Sequence, residues 1–165
     1  MRAFPDRPPE VAALLNPAFC AVLLREAIRG YGRETQGAAM PLTLIPFVLP
    51  LALHAATRAA LPPTTRTKMH VWLQGRPEAR ILFARRAKAL YPYAREALLF
   101  GIMQGLFTLD HEAGASATRR RFRHGGLEPA SDDFLASRDT AGLIGRWLGR
   151  SGQPHIIYAM WGVRP

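Results

Sequence analysis

The sequence is poor in cysteine, with Cys20 as the only one among 165 residues. One cysteine excludes an internal disulfide and a thiolate zinc cluster. The absence of disulfides is typical of proteins from a reducing compartment, which predicts cytoplasmic localisation. Because Cys20 lies among apolar residues with no neighbouring cation to favour its thiolate, we expect a buried thiol that is not a nucleophile.

Lysine and acidic residues are also scarce. Lys68 and Lys88 are the only lysines, yet Lys and Arg together number 22 against 12 Asp and Glu, so the formal net charge is +10. Genome composition can favour arginine over lysine, but it cannot create a surplus of charge, because both have the same sign. The surplus favours a polyanionic partner, either nucleic acid or an acidic protein face.

Patterns typical of catalytic and metal sites are missing. The sequence has no Gly-rich phosphate loop, no Gly-x-Ser-x-Gly motif, and five histidines that are scattered singly. Asp110, His111 and Glu112 come nearest to a cluster, but adjacent residues on a hairpin point in alternating directions and cannot converge on one ion. We therefore predict a protein without catalytic residues, bound metal or cofactor.

One uncharged segment, residues 35–57, is long enough to cross a bilayer. Pro41, Pro46 and Pro50 fall within it, and prolines and polar side chains are costly in a lone lipid-facing helix. The first ten residues contain three prolines and several charges, unlike a secretory signal. We expect a protein that is neither exported nor inserted in a membrane.

Proline and glycine predict where the helices begin and end. Asn16 and Pro17 predict a helix over residues 17–29, because asparagine is a good N-cap and proline suits the first helical position. Residues 40–61 are apolar on all sides and predict an extended stretch followed by a buried helix. Another helix is predicted over residues 140–149, and Ser131 is expected to cap only a short turn.

The middle of the chain predicts three short helices and a hairpin. The helices run over residues 67–74, from Pro77 to about residue 90, and from Pro92 to a stop at Gly105. The predicted strands are residues 106–109 and 116–122. Three helices followed by a basic hairpin are the outline of a winged helix.

We therefore predict a mainly α-helical single domain over residues 1–165. It comprises N-terminal helices (11–61), a winged-helix-like core (64–123) and a C-terminal helical tail (139–165).

Arginines cluster on the predicted core and its hairpin. Several arginines together give salt-dependent, sequence-independent affinity for DNA, although a solvated basic face would have the same composition. The candidate DNA-binding residues are Arg66, Lys68, Arg80, Arg85, Arg86, Lys88, Arg119, Arg120, Arg121 and Arg123. The two clusters are expected to act together on one duplex.

The tail is apolar and must pack against something. Its own core is one alternative and a partner protein is the other. The candidate partner-binding residues are Trp147, Ile156, Ile157, Tyr158 and Trp161. Residues 48–53 and 156–161 together are more apolar than a chain of this length needs, so we expect a partner to cover part of them.

Several segments together resemble the middle component of three-component ABC ATPase systems. They are residues 11–20 (VAALLNPAFC), 51–54 (LALH) with Thr57 and Arg58, 61–67 (LPPTTRT), 95–100 (REALLF) and 158–165 (YAMWGVRP). The resemblance covers most of the chain and weakens between residues 111 and 138. It implies a small protein encoded between an SMC-like ABC ATPase and an effector subunit, often a nuclease, in antiphage defence systems of the Lamassu type.

The resemblance implies a non-catalytic adaptor that links the ATPase to the effector. Sequence-independent DNA contact is a further expectation, which comes from the arginine clusters and not from the resemblance. No catalytic residues are carried over by it. A stand-alone winged-helix DNA-binding regulator is the alternative, since a winged helix serves both DNA and protein binding and the fold does not choose between them.

Overall fold

The computed structural model describes residues 7–120 and 131–163. These residues form a mainly helical structure with a small antiparallel sheet. The elements are α1 (Pro9–Leu14), α2 (Pro17–Glu34), β1 (Met40–Pro41), α3 (Ile45–Leu53), α4 (Ala55–Ala60), α5 (Met69–Gln74), α6 (Phe83–Met103), β2 (Phe107–Leu109), β3 (Gly114–Ala117), α7 (Asp132–Arg150) and α8 (Pro154–Trp161). Short 3₁₀ turns, Leu42–Leu44 and Pro77–Arg80, precede α3 and α6.

Helix α2 begins at the predicted signal. The Asn16 side chain accepts a hydrogen bond from the Ala18 N–H at 2.8 Å, and Pro17 occupies the first helical position. The helix continues to Glu34, one turn beyond the predicted end at residue 29, because its buried face extends to Ile28 and Gly30.

Helix α7 packs along α2, and glycines bring the two backbones together. A Cβ atom at Gly145 would stand 2.6 Å from the carbonyl carbon of Ala27, which is closer than real Cβ atoms approach. A Cβ at Gly30 would likewise overlap the carbonyl of Gly142. The helices therefore touch backbone to backbone at two levels, which any side chain larger than hydrogen would prevent.

Helix α7 is longer than predicted. It starts at Asp132, where the Ser131 hydroxyl accepts from the Phe134 N–H at 3.2 Å, so Ser131 caps a 19-residue helix and not a short turn. The first two turns contain polar residues, and for this reason hydrophobic spacing alone placed the start at residue 140.

The apolar residues 45–60 form two helices. His54 separates α3 from α4 and caps α4, with its Nδ1 accepting from the Thr57 N–H at 3.2 Å. Burial, and next the Arg86 charge, lower the pKa of His54, which favours the neutral ring that accepting requires. Because Val48 and the following apolar side chains of α3 lie in the chain's own core, the expectation that a partner covers part of residues 48–53 was wrong.

The middle of the chain differs from the three predicted helices. Helix α5 is confirmed, but Pro77–Arg80 is only a 3₁₀ turn, and a single 21-residue helix, α6, passes through Pro92. A proline inside a helix removes one hydrogen bond. The helix continues because one face of it is buried on both sides of Pro92, at Phe83, Ala87, Ala94, Ala97 and Gly101.

The hairpin is confirmed with an earlier return strand. Strand β3 begins at Gly114, because the Asp110 carboxylate accepts from the N–H groups of Glu112 (2.9 Å) and Gly114 (2.7 Å) and closes the turn. β2 pairs with β3, and β1 joins on the other side of β3 with Met40 opposite Ala115. Residues 121–123, the predicted end of the return strand, lie outside the described residues.

The tail packs on the chain's own core. Trp161 lies 4.3 Å from the Phe83 ring centroid, and the Tyr158 hydroxyl donates to the Thr43 carbonyl at 2.7 Å. The indole N–H of Trp147 donates to the Thr67 carbonyl at 2.8 Å, which joins α7 to the segment before α5. Residues from all three predicted parts of the chain thus meet in one hydrophobic cluster.

The uncharged segment 35–57, which is long enough in sequence to cross a bilayer, is divided between β1, a 3₁₀ turn and two short helices. The longer of these helices, α3, has nine residues, which are too few to cross a bilayer. Among the described residues, only Pro9–Glu34 is long and apolar enough for a span by length and composition. Its larger part is α2, whose apolar face packs against α6 and α7 as a core helix does.

The glycine contacts give a test of the fold. Gly145→Ala is expected to lower the free energy of unfolding by roughly 2 kcal/mol, because the added methyl forces α2 and α7 apart. Gly142→Ala is the matched control on the same helix, since its Cβ would meet only the Glu26 carbonyl at 3.9 Å, and it is expected to raise stability by up to about 1 kcal/mol. Urea unfolding of both variants measures the difference, and equal effects would contradict the backbone contact.

Candidate partner and nucleic-acid interfaces

The described residues show no constellation typical of catalysis. Cys20 is fully buried, and this burial, together with the nearby Glu96 carboxylate, raises the pKa of its thiol to about 12. The thiol therefore remains protonated at neutral pH, as expected for a structural residue. Over residues 7–120 and 131–163, no group of three His, Cys, Asp or Glu side chains could hold a metal ion.

The raised pKa of Cys20 predicts a pH dependence of stability. In the unfolded chain the thiol ionises above about pH 9, whereas in the folded chain it holds its proton to about pH 12, so the wild type loses stability as pH rises through this window. Relative to Cys20→Ala, we expect wild-type stability to fall by about 1.4 kcal/mol per pH unit above pH 9. Urea unfolding of both proteins at pH 8 and pH 10 tests this, and parallel losses would show that Cys20 is not the cause.

Several candidate DNA-binding residues are exposed around α5 and the start of α6. Arg80, Arg85 and Lys88 project into solvent, and Arg76, which belongs to the same face, lies 5.7 Å from the Trp72 ring centroid. Trp72 itself is fixed by its indole N–H, which donates to the Ala60 carbonyl at 3.0 Å. This part of the surface carries a single carboxylate between residues 64 and 88, at Glu78, so its net charge is strongly positive.

Arg86 differs from its neighbours. It is half-buried, its Nη1 donates to the Ile81 carbonyl at 3.3 Å, and its guanidinium lies 6.0 Å from the Phe83 ring. Burial lowers the pKa of Arg86. These contacts are those of a residue that holds the start of α6 in place, and they leave less of its charge for a phosphate.

The other candidates occupy two further places. Arg66 and Lys68 are exposed in the segment that α7 fixes through Trp147. Arg119 and Arg120 are exposed after β3, where the Arg25 guanidinium of α2 donates to the Arg120 carbonyl at 2.7 Å. Arg121 and Arg123 lie outside the described residues.

The structure separates the two arginine clusters that were expected to act together. Arg85 lies at the start of α6, whereas Arg120 lies beside Gly105, just past the end of the same helix. The 21 residues of α6 place these clusters about 30 Å apart. They could contact one duplex only if it ran along α6.

The structure places four of the five candidate partner-binding residues inside the molecule. Ile157, Tyr158, Trp147 and Trp161 are buried in the core, and Ile156 alone is exposed. For these four side chains, packing against the chain's own core is therefore the alternative that the structure shows. Partner contact by the tail remains a prediction for Ile156.

Another apolar surface was missed by the sequence reasoning. Tyr91, Leu99 and Met103 are exposed on α6 by 52%, 52% and 82%, although each is a large apolar side chain. Lys88, Tyr91, Arg95, Leu99 and Met103 follow each other at intervals of three or four residues and so form one stripe, which we call the α6 stripe. The spacing is present in the sequence, but it is recognised only when one helix is continued through Pro92.

The α6 stripe adjoins a hollow of about 740 Å³. Its walls come from the turn Leu42–Leu44 with Pro46 and Phe47, from the first turns of α6, and from Tyr158 and Val163. The lining is apolar apart from a few groups, and Lys88 is the only charged residue that residues 7–120 and 131–163 contribute to it. Lys88 and Tyr91 belong to both the hollow and the stripe. We call this feature the α6 hollow.

The chain matches, over residues 5–165, the family described as ABC-three component (ABC-3C) system Middle Component 3. It therefore belongs to this family and is a middle component of a three-component ABC system. No match was found among curated proteins or among solved structures.

Proposed function

We propose that this chain is a non-catalytic adaptor that binds the SMC-like ABC ATPase of its system and links it to the effector subunit, often a nuclease, in antiphage defence. The observation that carries the proposal is the surface of α6. The described residues already fill a core with large side chains such as Trp147 and Phe47, yet Tyr91, Leu99 and Met103 remain in solvent. Exposed apolar residues grouped on one surface are typical of protein interfaces.

The non-catalytic part of the proposal rests on the chemistry of the described residues. Cys20 is buried and protonated. Several carboxylates are engaged in structural contacts, such as Glu96 with Arg7 at 2.7 Å and Asp110 with the N–H groups of its own turn. Such groups hold the fold together and do not face a common cleft. We also propose that the chain resides in the cytoplasm, where its lone thiol needs no partner.

DNA contact is proposed as a second property. The three short helices expected in a winged-helix-like core (64–123) are instead α5, a 3₁₀ turn and the single helix α6, so the DNA proposal rests on charge and not on that outline. Arg76, Arg80 and Arg85 supply exposed guanidinium groups near the start of that helix. Phosphate contacts of this kind bind DNA without reading its sequence. The stand-alone regulator differs from the adaptor in that it would bind DNA with sequence preference and without the ATPase.

The adaptor proposal predicts a stable complex with the ATPase. The purified chain, mixed with the ATPase subunit of the same system, is expected to coelute in size-exclusion chromatography and to give a dissociation constant in the micromolar range or tighter by calorimetry. The effector subunit is then expected to join only the mixed complex. If the chain binds neither subunit at any concentration tested, it is not an adaptor.

The DNA proposal predicts a change in salt dependence. Replacing Arg76, Arg80 and Arg85 together by alanine is expected to weaken binding of the assembled complex to unrelated duplexes alike. The slope of log affinity against log salt should flatten by about 0.9 for each phosphate that the variant no longer neutralises. Arg119→Ala with Arg120→Ala tests the other cluster separately, and Arg33→Ala, an exposed arginine on α2, is the control. An unchanged slope with impaired subunit assembly would assign these arginines to an acidic protein face.

A further inference from the structure

The described residues leave the α6 stripe uncovered. Helix α6 buries Phe83, Ala87, Ala94 and the following small residues against the rest of the chain, and it turns the stripe away from them. Tyr91 and Leu99 are each about half exposed, and Met103 is almost fully exposed. Tyrosine and methionine are enriched at protein interfaces, and exposing three such residues on one helical face costs solubility unless a partner covers them.

The charge of the stripe has one sign. Lys88 and Arg95 alternate with the apolar side chains, and Arg85 lies one turn before Lys88. The only carboxylate of α6, Glu96, is half-buried and pairs with Arg7 on another side of the helix. The stripe therefore presents apolar groups and cations, and no carboxylate in the described part of the chain forms an ion pair with Lys88 or Arg95.

We propose that the α6 stripe and the adjoining α6 hollow bind an amphipathic helix of another subunit of the same system, with acidic residues beside its apolar face. This proposal rests on the adaptor function and specifies the surface through which the adaptor would bind. From Tyr91 to Met103 the stripe is about 18 Å long, which matches three turns of a partner helix. Carboxylates on either side of that helix would pair with Lys88 and Arg95, and one large apolar side chain would enter the hollow.

The chemistry of the stripe selects this occupant over two others. A second copy of the chain would bring Lys88 and Arg95 against the same cations, which is unfavourable for a protein whose net charge is +10. A DNA backbone would satisfy the cations but would leave Leu99 and Met103 against phosphates. An acidic amphipathic helix satisfies both the apolar and the charged part of the surface.

The test uses the full chain with the ATPase subunit and, separately, the effector subunit as probes. The double variant Leu99→Lys and Met103→Lys keeps the charge sign and the helix propensity but removes the apolar contacts, and both positions are exposed enough for the fold to tolerate it. We expect it to weaken binding of one subunit at least tenfold. Val71→Lys, at an equally exposed apolar residue of α5, is the matched control and is expected to bind as the wild type does.

A charge variant tests the acidic part of the partner. Arg95→Glu is expected to weaken binding of the same subunit, most strongly at low salt, whereas Arg33→Glu on α2 is expected to leave it unchanged. Circular dichroism and thermal unfolding establish that each variant is folded. If Arg95→Glu has no effect on a subunit that Leu99→Lys with Met103→Lys fails to bind, the partner is not acidic and the proposal is wrong.

The remaining outcomes separate this proposal from the adaptor function. If the wild type binds a subunit and the stripe variants bind it equally well, the stripe is not the interface, although the adaptor function stands. If neither subunit binds even the wild type, the adaptor function fails and this proposal with it. Loss of DNA binding alone in the double variant, or loss of a concentration-dependent self-association of the wild type, would assign the stripe to nucleic acid or to a second copy and overturn the proposal.

Discussion

The close approach of α2 and α7 is set by backbone atoms. Gly30 and Gly145 lack the methylene that would otherwise separate the helices, so the carbonyls of Gly142 and Ala27 lie where a side chain would be. Helix α2 also packs against α6 and β3. The pair of helices α2 and α7 is therefore the frame against which the other elements are positioned. From this frame Trp147 reaches the Thr67 carbonyl, which anchors the chain just before α5.

The same frame explains how the tail became part of the core. Helix α8 carries Trp161 between Phe83 of α6 and Met69 of α5, whose sulfur accepts from the indole N–H at 3.2 Å. Tyr158 fixes the other side through the Thr43 carbonyl. Except for Ile156, the side chains of α8 that looked available to a partner therefore close the core. The outer face of α6 is the surface that we propose for a partner.

Much of the fold could be predicted from local chemistry. Asn16 with Pro17 predicted the start of α2, and the strand pattern of residues 106–109 predicted β2, because each signal acts within a few residues. The errors arose where tertiary burial outweighs a local rule. Pro92 is a helix start by propensity, but the buried face that continues on both sides of it keeps α6 intact. Ser131 likewise caps a helix whose first two turns mix charged residues with Phe134 and Leu135, which weakens the hydrophobic spacing there.

The candidate site could be predicted less well than the fold. Composition identified the excess of arginine, and most of the described candidates are exposed, yet sequence alone could not place Arg85 and Arg120 at opposite ends of one helix. The apolar tail was easy to notice, but hydrophobicity does not distinguish a side chain that completes its own core from one that meets a partner. Leu99 and Met103 are apolar, as Ile157 and Trp161 are, and what separates the two pairs is their exposure, which depends on the fold.

We expect the core to be complete in the isolated chain and the outer face of α6 to bind another subunit. Amide hydrogen exchange of the chain, alone and bound to the ATPase or effector subunit, measures both parts of this claim. We predict slow exchange in α2 and α7 without any partner, and new protection on binding in α6 and in the turn Leu42–Leu44 beside the hollow. Rapid exchange in α2 and α7 of the isolated chain, or binding protection confined to α7 and α8, would contradict the account.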